Sequence, residues 1–434
     1  MSEHRDPPLP PVVEGVQHDA FHYFPAHTNP ANGLVRDSTQ EHSPCSIAAV
    51  GFALTCWPIA VRRGWMSRAD ALQRALAALR FFAGADLSGT PRASGYRGFF
   101  YHFLDMETGQ RAWNSELSTI DTALLVAGML LAAQYFDGDD ADEVQLRRLA
   151  QAIHERVDWR WAQNGGAALS LGWTPEQGFL RWRWIGYSEA LILYVLALGS
   201  PSHAASRDAY EQWLSGYRWK RIYGMDYVYA GPLFIHQFSH LWIDFRGIAD
   251  AYMRARGIDY FENSRRATLV QREYAIRNPR GWEGYCGECW GLTASNGPGP
   301  EYGRLVRGRK RDFYGYTARG APFGPDDGTV SPWASIASLP FAPDVVLPTI
   351  ESLSRRAGGQ HAFFGFYSSF NPSYHDRDGD AGWICPWHIG LNQGPIVAMI
   401  ENHRCGFLWQ LMRGCQPVVD GLLAAGFRGG WLGG

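Results

Sequence analysis

The 434-residue sequence carries no large excess of either charge: Lys+Arg 40 against Asp+Glu 42 leave a formal net charge of −2. This balance removes the general electrostatic reason to expect nucleic acid or an anionic membrane as a partner. Long apolar runs are also scarce. The longest strongly apolar run without a charge, Thr122 to Phe136, spans roughly 15 residues, short of the ~20 that cross a bilayer. The opening Met-Ser-Glu-His-Arg-Asp-Pro-Pro-Leu-Pro-Pro lacks the apolar core of a secretory signal. A soluble cytoplasmic protein is therefore expected, or a periplasmic one where a leader has been removed. Cysteines number seven, so at least one thiol is unpaired within the chain, which leans toward a reducing compartment. Cys286-Gly-Glu-Cys289 is a lone CxxC without a second pair or a His pair at zinc-finger spacing, and it predicts neither a metal nor a redox site. No fixed repeat and no Pro/Ser-rich linker interrupts the chain. One domain over 1–434 is the expectation, with 1–11 a flexible N-terminal segment.

Apolar and aromatic residues are abundant. Hydrophobic residues reach 46% against 19% charged, enough for a large core and unlike a disordered chain. Trp, Tyr and Phe number 18, 20 and 23, beside 49 Gly. A big core accounts for some of these rings. Others stand in Gly- and Pro-punctuated segments, as in Gly281-Trp282-Glu283-Gly284-Tyr285 and Trp383-Ile384-Cys385-Pro386-Trp387-His388. Rings in loops beside polar groups suit a sugar cleft, because pyranose C–H faces stack on aromatic faces while hydroxyls require hydrogen bonds.

Apolar residues recur at three- and four-residue steps over 12–27, 46–62, 67–82, 118–136 and 141–157, the period of helices. Ser67-Arg-Ala-Asp70 and Ser118-Thr-Ile-Asp121 resemble capping boxes with a short acidic side chain. Further helices are expected at 187–198, 205–216, 242–256, 260–277, 331–339, 343–356, 389–402, 406–412 and 418–425, with short strand-like pieces at 98–104 and 361–366. About a dozen helices joined by alternating short and long Gly/Trp-rich connections fit an all-α chain of the α/α toroid type, a closed ring of helical hairpins whose long loops gather at one end.

Several acidic residues stand at helix entrances or in aromatic loops: Glu116, Asp121, Glu189 and the Asp376, Asp378, Asp380 cluster. Glycoside cleavage needs two carboxyl groups, one protonated beside the leaving oxygen and one ionised. A carboxyl ringed by Trp and Tyr is partly desolvated, which raises its pKa and suits the acid role. Glu189, after Trp184-Ile-Gly-Tyr-Ser, matches best. Capping by Asp121 and dipole complementation by Glu189 are the alternative readings. In Asp376-Arg-Asp378-Gly-Asp380 the next residue is Ala381, where a calcium loop needs its turn glycine, so this is a polar loop and not a metal site. His236 and His240 have zinc-protease spacing, but Gln237 replaces the required Glu, so they read as a hydrogen-bonded pair in a polar wall. Asp137-Gly-Asp139-Asp140 resembles a terpene-cyclase signature but reads as a solvated turn.

Longer strings carry a resemblance. Asn32-Gly-Leu-Val-Arg-Asp37, Ile47-Ala-Ala-Val-Gly-Phe-Ala-Leu, Gly98-Phe-Phe-Tyr-His-Phe-Leu-Asp105, Ser118-Thr-Ile-Asp-Thr-Ala-Leu-Leu, Gly186-Tyr-Ser-Glu-Ala, Phe234-Ile-His-Gln-Phe-Ser-His-Leu-Trp-Ile-Asp-Phe-Arg246 and Gln393-Gly-Pro-Ile resemble the bacterial glucoamylase-like domain of glycoside hydrolase family 144, over about Val16 to Phe427. The resemblance implies an (α/α)6 barrel that hydrolyses β-1,2-glucan or its oligosaccharides without metal or organic cofactor. It makes Glu189 the preferred acid, with Asp121 and Glu116 in the same cleft. It also marks a departure: relatives often read Ile-Asp-Gln-Gly-Pro where this chain has Leu391-Asn392-Gln393-Gly394-Pro395, so another carboxylate, Asp380 among the candidates, must serve if that Asp is catalytic. Aromatic platforms are expected at Trp184, Tyr187, Trp290, Trp333, Trp383 and Trp387, and hydrogen bonds to sugar from Arg97, His102, His236, Gln237, Asp244 and Gln393. A transglycosylase and a catalytically silent glucan-binding protein are the rivals.

Overall fold

The computed structural model describes residues 6–356, 363–375 and 382–433. Mostly helical with short two- and three-stranded sheets, it has the fold class expected. The chain divides into two compact units. One comprises 24–218, 239–260 and 407–434, the other 1–23, 219–238 and 261–406.

The first unit is built on the helices Ile47–Arg63 and Thr119–Tyr135. Both are apolar nearly all round and correspondingly buried nearly all round. They pack through glycine: a Cβ on Gly128 would collide with the Gly51 carbonyl, and one on Gly51 with that of Leu124. Trp242 lies flat on Phe52, ring centroids 5.8 Å apart, and donates its indole N–H to Thr55 Oγ1 at 3.0 Å. Arg68–Gly84, Ala141–Glu155, Leu191–Leu198, Arg207–Ser215, Phe407–Arg413 and Gln416–Ala424 complete the helical layer. Asp70 and Asp121 both stand in the predicted capping boxes, with Ser67 and Ser118 accepting from their backbone N–H groups. Short antiparallel ladders tie the helix entrances together, Cys45–Ser46 with Phe103–Leu104, and Leu117–Ser118 with Gly172–Thr174.

The second unit holds the helices Pro343–Arg355 and Gly390–Cys405, most of Tyr260–Arg277, the short Pro332–Ile336, and two hairpins, the partly buried Trp219–Ile222 with Met225–Val228 and the more exposed Glu301–Val306 with Arg309–Phe313. The buried pair Arg319 and Asp327, 2.7 Å apart, anchors its loops. None of the seven cysteines is in a disulfide.

Three expectations fail. No continuous helix runs over 242–256; only Ala251–Arg254 is helical, because Gly247 turns the chain at φ +73° and Asp250 starts a new helix by accepting from Met253 N–H. His236 and His240 share no α-helical face either, since Leu233–His236 and Phe238–Leu241 are separate 3-10 turns. The 361–366 piece is not a strand at 363–366, and its first two residues lie outside those described.

Candidate active site

The Thr119–Tyr135 helix begins at a cap that also orients a carboxylate. Ser118 Oγ accepts from Asp121 N–H at 3.1 Å and donates to Asp121 Oδ2 at 2.5 Å. Two residues before the cap, Glu116 enters the same place. A backbone bond from His102 N–H to the Glu116 carbonyl, 2.9 Å, sets the two side chains face to face. His102 Nδ1 then meets Glu116 Oε1 at 3.0 Å, and its Nε2 lies 3.6 Å from Asp121 Oδ2. The second distance is that of an ion pair, not a hydrogen bond. Burial penalises the charge on His102, but Asp121, Glu116 and Asp37 together outweigh it and raise its pKa to about 9. Glu116 answers in kind: burial pushes it up, and the hydrogen bond and charge of His102 carry it below the ordinary range.

Asp37 was not among the residues singled out for chemistry, although it closes the Asn32–Asp37 string. Its backbone is pinned by N–H donation to the Pro44 carbonyl at 2.8 Å. Its carboxyl is raised to about 6, by burial first, with the His102 charge opposing and the Asp121 charge adding. No spacing rule marks it, because it arrives from a loop far from Asp121 in sequence.

Glu189 is delivered by a turn. Gly186, at φ +90°, adopts a conformation that L side chains rarely take and passes so close to Gly216 that a Cβ would stand 3.0 Å from its carbonyl oxygen. The Leu191–Leu198 helix starts after this turn, so Glu189 precedes the helix instead of lying in its first turn as expected. Ser239 fixes the junction: its hydroxyl accepts from Ile192 N–H at 3.0 Å and donates to the Glu189 carbonyl at 3.3 Å. Half-buried, Glu189 has a pKa raised to about 7, by burial first, opposed by its own backbone N–H and assisted by the negative charge of Asp121. The unit therefore presents two carboxyls whose pKa values are raised toward neutrality, Glu189 and to a lesser extent Asp37, beside Glu116 and Asp121, which face the His102 ring.

Among the described residues, two groups of donors are spaced closely enough for a cation, His102 with Glu116 and Asp121, and Asp6 with Glu401 and Cys405. In the first, both ring nitrogens of His102 face carboxylate oxygens, so neither has a lone pair to give a metal. In the second, Glu401 accepts from Gln17 Nε2 at 3.2 Å and lies 3.7 Å from Arg404 Nε. A groove of about 690 Å³ lined by Trp65, Arg74 and Phe81 among others contains none of these carboxyls.

The remaining expected residues separate by environment. Trp184 donates its indole N–H to Thr119 Oγ1 at 2.9 Å, which ties its ring to the helix that carries Asp121. Tyr187 stacks on Tyr260 at 5.9 Å. Arg97 is half-exposed over the Tyr96 ring, 3.9 Å from Asp158. Asp244 is committed elsewhere: Arg246 and Arg413 hold its buried carboxylate, the latter at 2.5 Å. In the second unit Gln237 donates to the Ala334 carbonyl and Ser338 Oγ, Trp290 to Thr349 Oγ1 and Gln393 to the Phe366 carbonyl, all fully buried. His236 is equally enclosed, against the Ala230 carbonyl and Asn263, and burial lowers its pKa to about 4, so it is neutral. Trp333 is buried, whereas Trp383 and Trp387 keep part of their surface in solvent. Asn392 donates to Ser368 Oγ at 2.9 Å. Asp376, Asp378 and Asp380 lie outside the described residues.

This helical frame with a Glu and a histidine-bound carboxylate pair belongs to the glycoamylase family. The family model, described as "Putative glucoamylase", matches residues 181–416, and the resemblance to glycoside hydrolase family 144 read from the sequence stands. A curated relative, the exo β-1,2-glucooligosaccharide sophorohydrolase (non-reducing end) of Parabacteroides distasonis, is 28% identical over 95% of this chain, which spans 57% of that relative's length. A solved structure of the same description as the family model, from Bacteroides uniformis, is 27% identical and superposes with a TM-score of 0.85, covering 98% of this chain and 100% of its own. An endo-β-1,2-glucanase from Chitinophaga pinensis, solved with sophorotriose and glucose, is 27% identical with a TM-score of 0.82, over 97% of this chain and 99% of its own.

Proposed function

We propose that this chain is a glycoside hydrolase that cleaves β-1,2-glucan or its oligosaccharides. The observation that carries the reading is the pKa of Glu189, raised to about 7 next to the charge of Asp121. A general acid must be protonated when the glycosidic oxygen departs, and a desolvated carboxyl poised near neutrality meets that need. The ionised partner comes from the set around His102, with Asp121 preferred because its charge is the one felt at Glu189. The substrate class rests on the relatives, whose names specify β-1,2-linked glucose in both exo- and endo-acting enzymes.

Catalysis in this reading begins with glucan bound so that its scissile oxygen faces Glu189. The proton passes to that oxygen while the carboxylate partner activates water or attacks the anomeric carbon. Incubation of the protein with linear β-1,2-glucan, β-1,3-glucan and cellulose oligosaccharides, followed by product analysis, tests the assignment. Shorter β-1,2-linked products from the first substrate alone are expected. Conversion of β-1,2-glucan into longer or cyclic products instead would make the chain a transglycosylase, and an unchanged polymer would remove the hydrolase reading.

A further inference from the structure

The centre of the carboxyl cluster is a histidine that no catalytic scheme above uses. His102 is held at its backbone by N–H donation to the Glu116 carbonyl at 2.9 Å and by acceptance from Ile47 N–H at 3.3 Å. Its ring stacks against Phe103 with centroids 3.9 Å apart. Both nitrogens point at carboxylate oxygens, Nδ1 at Glu116 and Nε2 at Asp121. A neutral imidazole has one acceptor nitrogen, and aiming that lone pair at a carboxylate is repulsive; only the doubly protonated ring satisfies both sides. The charged groups around it come from three segments: Asp37 from the loop before Cys45, Glu116 from the strand approach, and Asp121 from the first turn of its helix, with Ser118 bonded to Asp121. The positive charge of Arg111 also acts on Glu116.

We propose that His102 is a positioning residue which, as an imidazolium clamped between Glu116 and Asp121, balances the negative charge of the cluster and fixes both carboxylates in orientation for a reaction in which Glu189 delivers the proton. This inference rests on the reading of Glu189 and its neighbours as the catalytic site, and it moves His102 from sugar contact to control of charge. Without the cation, Asp37, Glu116 and Asp121 would crowd three negative charges into one place, and the cluster as a whole would take up a proton at higher pH. The group that must be ionised would then fail at the acid end of the activity range.

The test pairs a kinetic with a spectroscopic readout. In the kinetic arm, kcat/KM on β-1,2-glucooligosaccharide is followed against pH for the wild type, His102→Gln and Glu116→Gln. The acid limb of His102→Gln should move up by about one pH unit, the effect of losing an opposite charge at such distances. An unmoved limb in a folded His102→Gln overturns the proposal. If His102→Gln does not fold, Glu116→Gln decides in the opposite sense: one negative charge is removed while the imidazolium stays, so the acid limb should stay or move down, and an upward shift overturns the proposal. In the spectroscopic arm, ring nitrogens of 15N-histidine protein are titrated by NMR, the His102 signal being the one missing from the variant. Protonation of His102 that persists above about pH 8 supports the clamp, since a free histidine titrates near 6.5. Titration of His102 at or below about pH 6.5 overturns it. This arm needs no activity, so a wild type that cleaves no β-1,2-glucan defeats the proposed function while leaving the clamp to be judged on its own signal.

Discussion

Replacing Glu189 by Gln should change the pH dependence of stability in a direction that exposes the cost of its carboxylate. The folded-state pKa is raised to about 7 from a reference of 4.5. A raised carboxyl contributes stability that is complete below the unfolded pKa and is lost as pH climbs through the folded one. The shift of 2.5 between those two values corresponds to roughly 3 kcal/mol as a ceiling, at 1.36 kcal/mol per unit. Glu189 is half-buried, so solvent screening brings the expected penalty to about 1–2 kcal/mol. Gln has the same size and no charge to desolvate. At about pH 4 both proteins should therefore unfold at similar denaturant concentration, while at about pH 8 the variant should be the more stable by that amount. The assay is urea unfolding followed by tryptophan fluorescence at both pH values. Destabilisation of Glu189→Gln at pH 8 would refute the reasoning, because it would mean that the ionised carboxylate makes favourable contacts instead of enduring burial.

Two further outcomes follow from the packing and from the donor set. Gly128→Ala drives a methyl group into the Gly51 carbonyl and should destabilise the protein by about 1–3 kcal/mol, measured by thermal unfolding; an unchanged melting temperature would contradict the close approach of the two helices. Hydrolysis should persist after EDTA treatment, because the ring nitrogens of His102 are occupied by carboxylates; loss of activity restored by zinc or calcium would contradict that arrangement.

Much of the frame is legible in the sequence because helix entrances announce themselves. Ser118-Thr-Ile-Asp121 predicts a helix start, and the structure has it in the Asp121 N–H bond to Ser118 Oγ; the second bond, from the Ser118 hydroxyl to the Asp121 carboxylate, is not in the sequence pattern. The 260–277 helix is found at its predicted limits. The 242–256 segment misleads because its apolar residues are buried by tertiary packing, as with Trp242 on Phe52, and not by lying on one helical face. The binding residues were harder to read for a related reason. A tryptophan in a loop looks the same in sequence whether its ring lines a cleft or, like Trp290, is fully buried with its N–H on Thr349. Asp244 shows the same limit, since two arginines, one 169 residues away, decide its role. Asp37 and Ser239 escaped notice because their partners are distant in sequence.

The central claim is that the proton of Glu189 drives cleavage of a β-1,2-glucan. The direct measurement is the rate of reducing-end release from linear β-1,2-glucan at about pH 6 by the wild type and by Glu189→Gln, with binding of the same glucan to both followed calorimetrically. The account predicts turnover by the wild type, a loss of ~10²–10⁴ in the variant, and binding that is nearly unchanged. A folded Glu189→Gln protein that retains more than about a tenth of the wild-type rate would contradict it.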